Sequence, residues 1–228
     1  MISKKKIATL IVIITLLLVA LVQWIIKTEA GRDFAVGQIQ MQLPVGSQLQ
    51  WKTVQGNLDE GLQFEQIAYS DATQRFEASS LNFNIKLSPL LFRKMHSDFV
   101  VAKHVRIFLA KDETPFEFPR WPESLPSLDV PVSVKIKKIH VDDIQFFKEK
   151  TLVYALNTLD GGFDLKPGSL QLSEIKAQSI DGTIHLSGYY QPNHGFATKL
   201  LGGVSINVAT TTAPQTLHFS ADGNAKRF

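Results

Sequence analysis

The chain has 228 residues, with 24 lysines and arginines, 21 aspartates and glutamates, and no cysteine. The absence of cysteine excludes disulfide bonds, thiolate chemistry and a lipoprotein anchor. Three of the basic residues, Lys4, Lys5 and Lys6, stand before the first apolar segment, and without them the two types of charge balance at 21 each. Because nucleic-acid binding requires a clustered excess of basic residues, no nucleic-acid partner is expected.

The N-terminal apolar segment, residues 7–26, contains no charged residue and is followed by Lys27. Twenty helical residues extend over about 30 Å, which is the thickness of the hydrocarbon core of a bilayer. Trp24 lies near the far end, where an indole ring favours the membrane–water interface. The segment therefore predicts a transmembrane helix.

The lysine cluster before this helix predicts the topology of the chain. We expect residues 1–6 to stay in the cytoplasm, residues 7–26 to form an uncleaved signal anchor, and residues 27–228 to be exported. The alternative is a cleaved signal peptide, which has a shorter apolar stretch and a small-residue cleavage site. Residues 28–30 match such a site poorly, which favours the signal anchor.

Downstream of the anchor, apolar and polar residues alternate, which is typical of β-strands with one apolar and one polar face. The alternating segments are residues 81–87, 105–109, 132–136, 183–187, 204–208 and 217–219. Strands of parallel α/β sheets are instead apolar on both faces. Turns are predicted where glycines punctuate the pattern. These glycine segments are residues 160–162, 181–182, 193–195 and 202–203. We therefore expect an all-β fold with an antiparallel meander in the C-terminal half.

Four segments depart from this pattern. Residues 31–42 and 88–94 predict short helices, the second because a serine cap precedes a proline. Residues 111–131 contain five prolines and predict a loop or an extended edge segment, since proline donates no backbone hydrogen bond. At residues 142–143 the alternation changes phase, which predicts a bulge or a turn.

The sequence contains no motif for catalysis or metal binding. Its six histidines do not occur at metal-ligand spacing. The acidic pairs at residues 59–60 and 142–143 do not converge, because neighbours in a strand point to opposite faces. Phosphate loops and nucleophile elbows are absent as well. We therefore expect a protein that is not an enzyme and requires no cofactor.

The apolar face shared by the strands has two interpretations. It is either the core of a membrane-anchored β-sandwich that binds protein or glycan, or the wall of an open groove that meets lipid chains. Burial of each CH₂ group contributes roughly 0.8 kcal/mol, so a groove removes much of the cost of moving an acyl chain through water. The alternation of apolar and polar residues does not distinguish the sandwich from the groove, because both require one apolar face.

The order of several segments resembles a known family. The lysine-led anchor is followed by WKTVQGNLDEGL at residues 51–62, FEQIAY at residues 64–69, and a strand that leads into SPLL at residues 88–91. A Leu-Pro pair at residues 125–126 and IKKI at residues 136–139 come next. Together these segments resemble the N-terminal part of the TamB family, the inner-membrane subunit of the translocation and assembly module, within the wider AsmA-like group.

The resemblance implies a periplasmic β-groove that begins at the inner membrane and runs toward a BamA-like outer-membrane partner of the TamA type. It also implies roles in phospholipid transport between the two membranes and in the assembly of outer-membrane proteins. Family members are several times longer, so this chain either is a fragment of a longer protein or does not bridge the envelope alone. Its final residues, 224–228, show no terminal cap, and we therefore expect a fragment. The outer-membrane partner is expected only for a full-length protein.

We therefore expect one N-terminal transmembrane helix followed by an all-β, elongated and curved antiparallel sheet with one or two short helices. The protein is expected to be a single-pass inner-membrane protein that binds membrane phospholipid. The residues expected to face lipid are Leu81, Phe83, Ile85, Val105, Ile107, Val132, Val134, Ile136, Ile184 and Leu186. The residues expected at the membrane interface are Lys4, Lys5, Lys6, Trp24 and Lys27.

Overall fold

Two helices precede a β-sheet in the computed structural model of the chain. The structure describes residues 4–41, 43–86, 89, 92–109, 128, 130–192, 197–207 and 214–224, and all of their side chains except those of residues 4–12, 18, 19 and 224. Helix α1 spans Lys4–Lys27 and helix α2 spans Glu29–Met41. Residues 7–26 thus lie within α1, and α2 covers most of the short helix predicted at residues 31–42.

The two helices meet at a bend of 84°. Between them, Thr28 donates a hydrogen bond from Oγ1 to the carbonyl oxygen of Trp24 (2.7 Å) and accepts one from the backbone N–H of Gly31 (3.0 Å), which caps α2. A Cβ atom at position 31 would collide with the backbone of the last turn of α1, so only glycine permits this close approach. Among the described residues, no single helix is long and apolar enough to cross a membrane. The bent pair Ile13–Lys27 and Glu29–Met41 is long and apolar enough, by length and composition only.

The twelve described strands form a single sheet. They are β1 Gln48–Gln50, β2 Thr53–Asn57, β3 Gly61–Ser70, β4 Gln74–Phe83, β5 Lys94–Ser97, β6 Val100–Leu109, β7 Ser133–Lys148, β8 Thr151–Lys166, β9 Ser169–Gln178, β10 Gly182–Gln191, β11 Ala197–Ile206 and β12 Gln215–Asn224. Their order is β1-β3-β4-β6-β7-β8-β9-β10-β11-β12, with β2 paired to β3 and β5 paired to β7. The sheet is curved and does not close on itself, which confirms the predicted architecture.

The sheet is mixed, which differs in one respect from the antiparallel sheet expected. Strands β7 to β12 form the predicted antiparallel meander, but β5 and β6 both pair in parallel with β7. Parallel neighbours require a crossover connection, and the chain between β6 and β7 contains the proline-rich segment 111–131. Most of that segment lies outside the described residues. Within it, the carbonyl oxygen of Leu128 accepts a hydrogen bond from the backbone N–H of Gly168 (2.9 Å).

Two of the four predicted glycine turns lie inside strands. The hairpin predicted at residues 181–182 is present, and residues 179–181 join β9 to β10. The turns predicted at residues 160–162 and 202–203 are wrong, because these glycines lie within β8 and β11. Gly161 has a φ angle of 144° and lies where the register between β8 and β9 shifts. A glycine there permits a bulge that other residues rarely adopt.

Two further predictions fall largely outside the described residues. Residues 193–195, predicted as a turn, are not described. The helix predicted at residues 88–94 is described only in part, and its last residue, Lys94, is instead the first residue of β5. This residue belongs to the sheet because its backbone pairs with Ser133 at the start of β7.

In each of five neighbouring strands the alternation of side chains breaks at one position that is aligned with the breaks in the other four. The residues at this alternation break are Gln66, Ser79, His104, Asp143 and Asn157. The φ angles of Gln66, His104 and Asp143 are positive, at 51°, 49° and 52°. At each break, successive apolar residues of the strand are three positions apart, as in Val141 and Ile144, and both still face the same side. The irregularity predicted at residues 142–143 is thus a break within β7.

The apolar face of strands β3, β4, β6 and β7 and one side of α2 form a common hydrophobic core. Its buried members are Val36, Leu58, Leu62, Phe64, Ile67, Ala78, Ala102, Val105 and Ile144. The turn between β2 and β3 holds the helices against this core, since the backbone N–H of Leu58 donates to the carbonyl oxygen of Ile26 (3.1 Å). Arg32, which is 7% exposed, donates from Nη1 to the carbonyl oxygen of Gly56 (3.2 Å). The bend between α1 and α2 is therefore attached to the first hairpin.

A network of ion pairs and hydrogen bonds connects segments of the chain next to the parallel strands. Asp98, between β5 and β6, forms ion pairs with Lys137 (2.7 Å) and Lys86 (3.0 Å) and accepts a hydrogen bond from Nδ2 of Asn84 (3.2 Å). The side-chain oxygen of Asn84 accepts a hydrogen bond from the backbone N–H of Asp98 (2.8 Å). Hydrogen bonds from Lys137, Lys86 and Asn84 hold the pKa of Asp98 well below its usual range. The network thus connects the end of β4, the β5–β6 turn and β7.

Replacing Asp98 by asparagine is expected to lower the midpoint of thermal unfolding at neutral pH, because two lysines lose their carboxylate partner. The effect is expected to be modest, since the lysines are exposed to solvent. Circular dichroism of the detergent-solubilised chain measures the midpoint. Asp59→Asn, at the exposed β2–β3 turn, is the matched control and should leave the midpoint unchanged. Equal midpoints for Asp98→Asn and the unmodified chain would mean that the network does not stabilise the fold.

Candidate functional site

The apolar side of the sheet continues without interruption from β8 to β12. One row of directly paired residues consists of Leu159, Ala177, Ile184, Val204 and Leu217. The row beside it consists of Ile175, Leu186, Gly202 and Phe219. Side chains of directly paired residues lie on the same face of a sheet. The two rows therefore form one apolar surface that crosses strand boundaries.

The exposure of this face increases along the sheet. Phe64 in β3 and Ile144 in β7 are 5% and 3% exposed, whereas Ile184 in β10 and Leu217 in β12 are 42% and 66% exposed. Near α2 the rings pack closely, with Trp51 edge-on to Phe64 at a centroid distance of 5.7 Å. Since all twelve described strands belong to one sheet, no second described sheet covers β10 to β12. The face is thus a core at one end and an open surface at the other.

A shallow hollow of ≈ 200 Å³ lies on the open part of the face. Its apolar lining consists of Tyr154, Leu156, Ala177, Ile184, Val204 and Ile206. These side chains come from strands β8 to β11, so the pairing of four strands assembles the hollow. These walls offer aliphatic and aromatic carbon to an apolar ligand. The rest of the lining is Gly182 and four polar residues, Ser179, Asp181, Thr183 and Ser205.

The structure distributes the ten predicted groove residues over both parts of the face. Four lie in or against the buried core: Leu81, Phe83, Val105 and Ile107. Two lie in β7, paired with Leu165 and Phe163 of β8: Val134 and Ile136. Two lie in the open part: Ile184 and Leu186. Two lie half-buried just outside a strand: Ile85 and Val132. Their contact with lipid stays a prediction.

The five predicted interface residues all belong to α1. Trp24 is 45% exposed in the last turn but one, and Lys27 is the exposed last residue of the helix. The side chains of Lys4, Lys5 and Lys6 lie outside the described ones. The membrane interface therefore also stays a prediction at this point.

Sequence reasoning missed four further exposed apolar residues of the open part. They are Tyr154, Ile206, Leu217 and Phe219. The alternation at residues 204–208 and 217–219 was a usable signal for the last three. Tyr154 stands in a segment without clean alternation, and only strand pairing brings it into the same hollow as Ile184.

The polar side of the sheet carries a row of charged and histidine side chains. Directly paired members are His140, Asp160, Lys176 and His185. Nδ1 of His140 lies 2.6 Å from Oδ1 of Asp160, and Nε2 lies 3.2 Å from Oδ1 of Asp142. The hydrogen bond to Asp160 is the main reason that the pKa of His140 is raised. Among the described residues, no group of three or more histidine, aspartate and glutamate side chains could hold a metal ion.

The fold and this surface together define a class of protein. Its members have a single open β-sheet whose continuous apolar face is buried at one end and exposed at the other. A family model described as "TamB, N-terminal domain" matches residues 18–193, from the second half of α1 to just beyond β10. The chain therefore belongs to the TamB N-terminal domain family, as the resemblance of its motifs predicted. No curated protein and no solved structure matches the chain.

The difference between the buried and the open part of the face is expected to appear in stability. Ile144→Ala should lower the free energy of unfolding by about 2–5 kcal/mol, because it leaves a cavity in a packed core. Ile184→Ala should lower it by on the order of 1 kcal/mol, because much of that side chain is already exposed. Urea unfolding followed by circular dichroism measures both. Equal losses would mean that the face at β10 is as well covered as the face at β7.

The pKa of His140 is expected to depend on its hydrogen bond with Asp160. The pKa of His140 lies above its ordinary value of 6.5, so the pair stabilises the fold fully below the unfolded-state pKa. That contribution is lost as the pH rises through the raised pKa of the folded state. Asp160→Asn should lower the pKa of His140, as measured by NMR titration of the imidazole proton signals. Asp181→Asn, in the turn before β10, should leave it unchanged, and an unchanged pKa in Asp160→Asn would contradict the assignment.

Proposed function

We propose that the chain is the inner-membrane-anchored, periplasmic part of an envelope-biogenesis protein that shields lipid acyl chains on its apolar β-face. The shielding would serve phospholipid transport to the outer membrane, the assembly of proteins there, or both. Membership of the TamB N-terminal domain family supports this class of role. The observation that carries the proposal is the open apolar row from Leu159 to Leu217.

The physical argument is the cost of exposing an acyl chain to water. Each CH₂ group that leaves an apolar environment costs roughly 0.8 kcal/mol, so a chain of ordinary length does not cross an aqueous compartment unaided. A continuous apolar surface replaces the water contacts of one side of such a chain. Ile184 at 42% exposure and Phe219 at 42% exposure are available for this contact. No catalytic step is part of the proposal.

The proposed anchor is the apolar segment of α1, residues 7–26. Large apolar side chains of its described part are exposed all around the helix: Leu16, Leu17 and Val22, which point in three directions at least roughly 100° apart, are 63%, 64% and 50% exposed. A helix that is apolar on every side requires an apolar environment. With the lysine cluster on the cytoplasmic side, residues 1–6 stay in the cytoplasm and residues 27–228 enter the periplasm.

The proposed partners follow from the same scheme. Membrane phospholipid is the ligand of the apolar face. A BamA-like outer-membrane protein of the TamA type is a partner only of a full-length protein, in which the groove would continue beyond this chain. The alternative of a β-sandwich that binds protein or glycan is less well supported, since every described strand belongs to one sheet.

A photoreactive amino acid placed at Ile184 or Leu217 tests the proposal directly. In membranes that contain the full chain, each position is expected to form a phospholipid adduct detectable by mass spectrometry. His185 and His218 are the matched controls, because each is the exposed neighbour of a test residue on the opposite face of the same strand. Equal adduct yields on the two faces would overturn the proposal.

A charge on the apolar face should block the same contact without unfolding the protein. Ile184→Asp is expected to reduce the phospholipid adduct formed from position 217, because an acyl chain does not lie against a carboxylate. His185→Asp is the control and should leave the adduct yield unchanged. Circular dichroism verifies that both variants are folded. A folded Ile184→Asp chain that retains the full adduct yield would contradict a lipid path over this row.

A further inference from the structure

Helix α2 exposes large apolar side chains although it also contributes to the core. Phe34, Ile39 and Met41 are 53%, 52% and 73% exposed, whereas Val36 is 2% exposed. The side of α2 that carries Val36 is thus buried against the sheet. A second apolar surface on the same helix needs a different partner.

The exposed apolar residues lie on the side of α2 that faces α1. Successive helical residues are rotated by about 100°, and Gly31 marks the direction of α1 because it abuts the backbone of Ile25. Phe34, Ile39 and Met41 all fall within roughly 80° of the direction of Gly31, on either side of the half-buried Gln38.

The opposite side of α2 is polar. Glu29, Asp33 and Gln40 fall within roughly 20° of the direction that points away from α1, and all three are exposed. The helix is therefore amphipathic in a particular orientation, with its apolar exposed side toward α1 and its acidic side away from it. This division is separate from the contact that Val36 makes with the core.

The angle between the two helices is held by local contacts. The bend is 84°, Thr28 caps α2, and the β2–β3 turn is hydrogen-bonded to the end of α1 through Leu58 and Ile26. A helix perpendicular to a membrane-spanning segment lies in the plane of the membrane. The exposed apolar side of α2 then faces the bilayer, and its acidic side faces the periplasm.

We propose that α2 is an interfacial helix whose Phe34, Ile39 and Met41 side chains enter the boundary between lipid headgroups and acyl chains. The inference rests on the anchor in the proposed function, and it adds a second contact with the same bilayer. Arg32 is the cation of α2 and is buried and paired with Asp33, so apolar contact rather than attraction to anionic lipid holds the helix. The covalent link to α1 keeps α2 at the surface, where weak binding suffices.

The absence of cysteine makes a clean labelling experiment available. Single-cysteine variants Phe34→Cys and Met41→Cys of the full chain are labelled with bimane and reconstituted into vesicles of phosphatidylethanolamine and phosphatidylglycerol. Lipids brominated near the top of the acyl chain are expected to cause a loss of emission at both positions, whereas aqueous iodide should cause little. Glu29→Cys, on the opposite side of the same helix, is the matched control and should be quenched by iodide only.

Leu17→Cys, in the middle of the proposed anchor, separates failure of this inference from failure of the anchor. If lipids brominated deep in the acyl chain quench position 17 while positions 34 and 41 respond only to iodide, the interfacial helix is wrong and the anchor stands. If position 17 is not quenched by any brominated lipid, both are wrong. If positions 34 and 41 are protected from iodide and from every brominated lipid, protein such as a second copy of the chain covers α2, which also overturns the proposal.

Discussion

The structure depends on keeping most apolar side chains of the long strands on one side of a single sheet. A strand that slipped by one residue would turn its apolar set to the polar side. At the alternation break, a left-handed conformation at a residue other than glycine costs about 1–2 kcal/mol. Burial of an isoleucine or valine side chain contributes about 1.5–3 kcal/mol. Because Ile67, Val105 and Ile144 each follow a break and are at most 8% exposed, burial outweighs the strain.

The continuity of this face explains why one surface serves as core and as candidate site. At the first strands, α2 and the β2–β3 turn add Val36 and Leu58 to the face and exclude water from it. At β10 to β12 the same face meets solvent through Ile184 and Leu217. The packed end can supply stability while the open end keeps apolar surface available. In the proposed function, the packed end is also the membrane end, since the bend between α1 and α2 is attached there.

Much of this architecture was predictable from local patterns, and the errors have a common cause. The alternation at residues 183–187 and 204–208 predicted strands, and the structure has residues 183–187 in β10 and residues 204–206 in β11, with Ile184 and Val204 on the apolar face. The glycines at residues 160–162 and 202–203 were wrongly predicted as turns. Gly161 lies in a bulge and Gly202 lies beneath the ring of Phe219. The sequence does not distinguish a glycine in either place from a glycine in a hairpin turn. The parallel pairing of β6 with β7 had no local signal.

By itself, the sequence determined the apolar N-terminal helix, the all-β class and the existence of one apolar face. These properties follow from the spacing of side chains along a strand or helix, which is local. Only the tertiary structure decided which strands pair, which part of the face is buried, and in which direction α2 leaves α1. Those properties depend on contacts between residues distant in the chain, such as Leu58 with Ile26 and His140 with Asp160. Alternation is identical in a covered and an uncovered strand, so exposure was decided by the elements that pack against each strand.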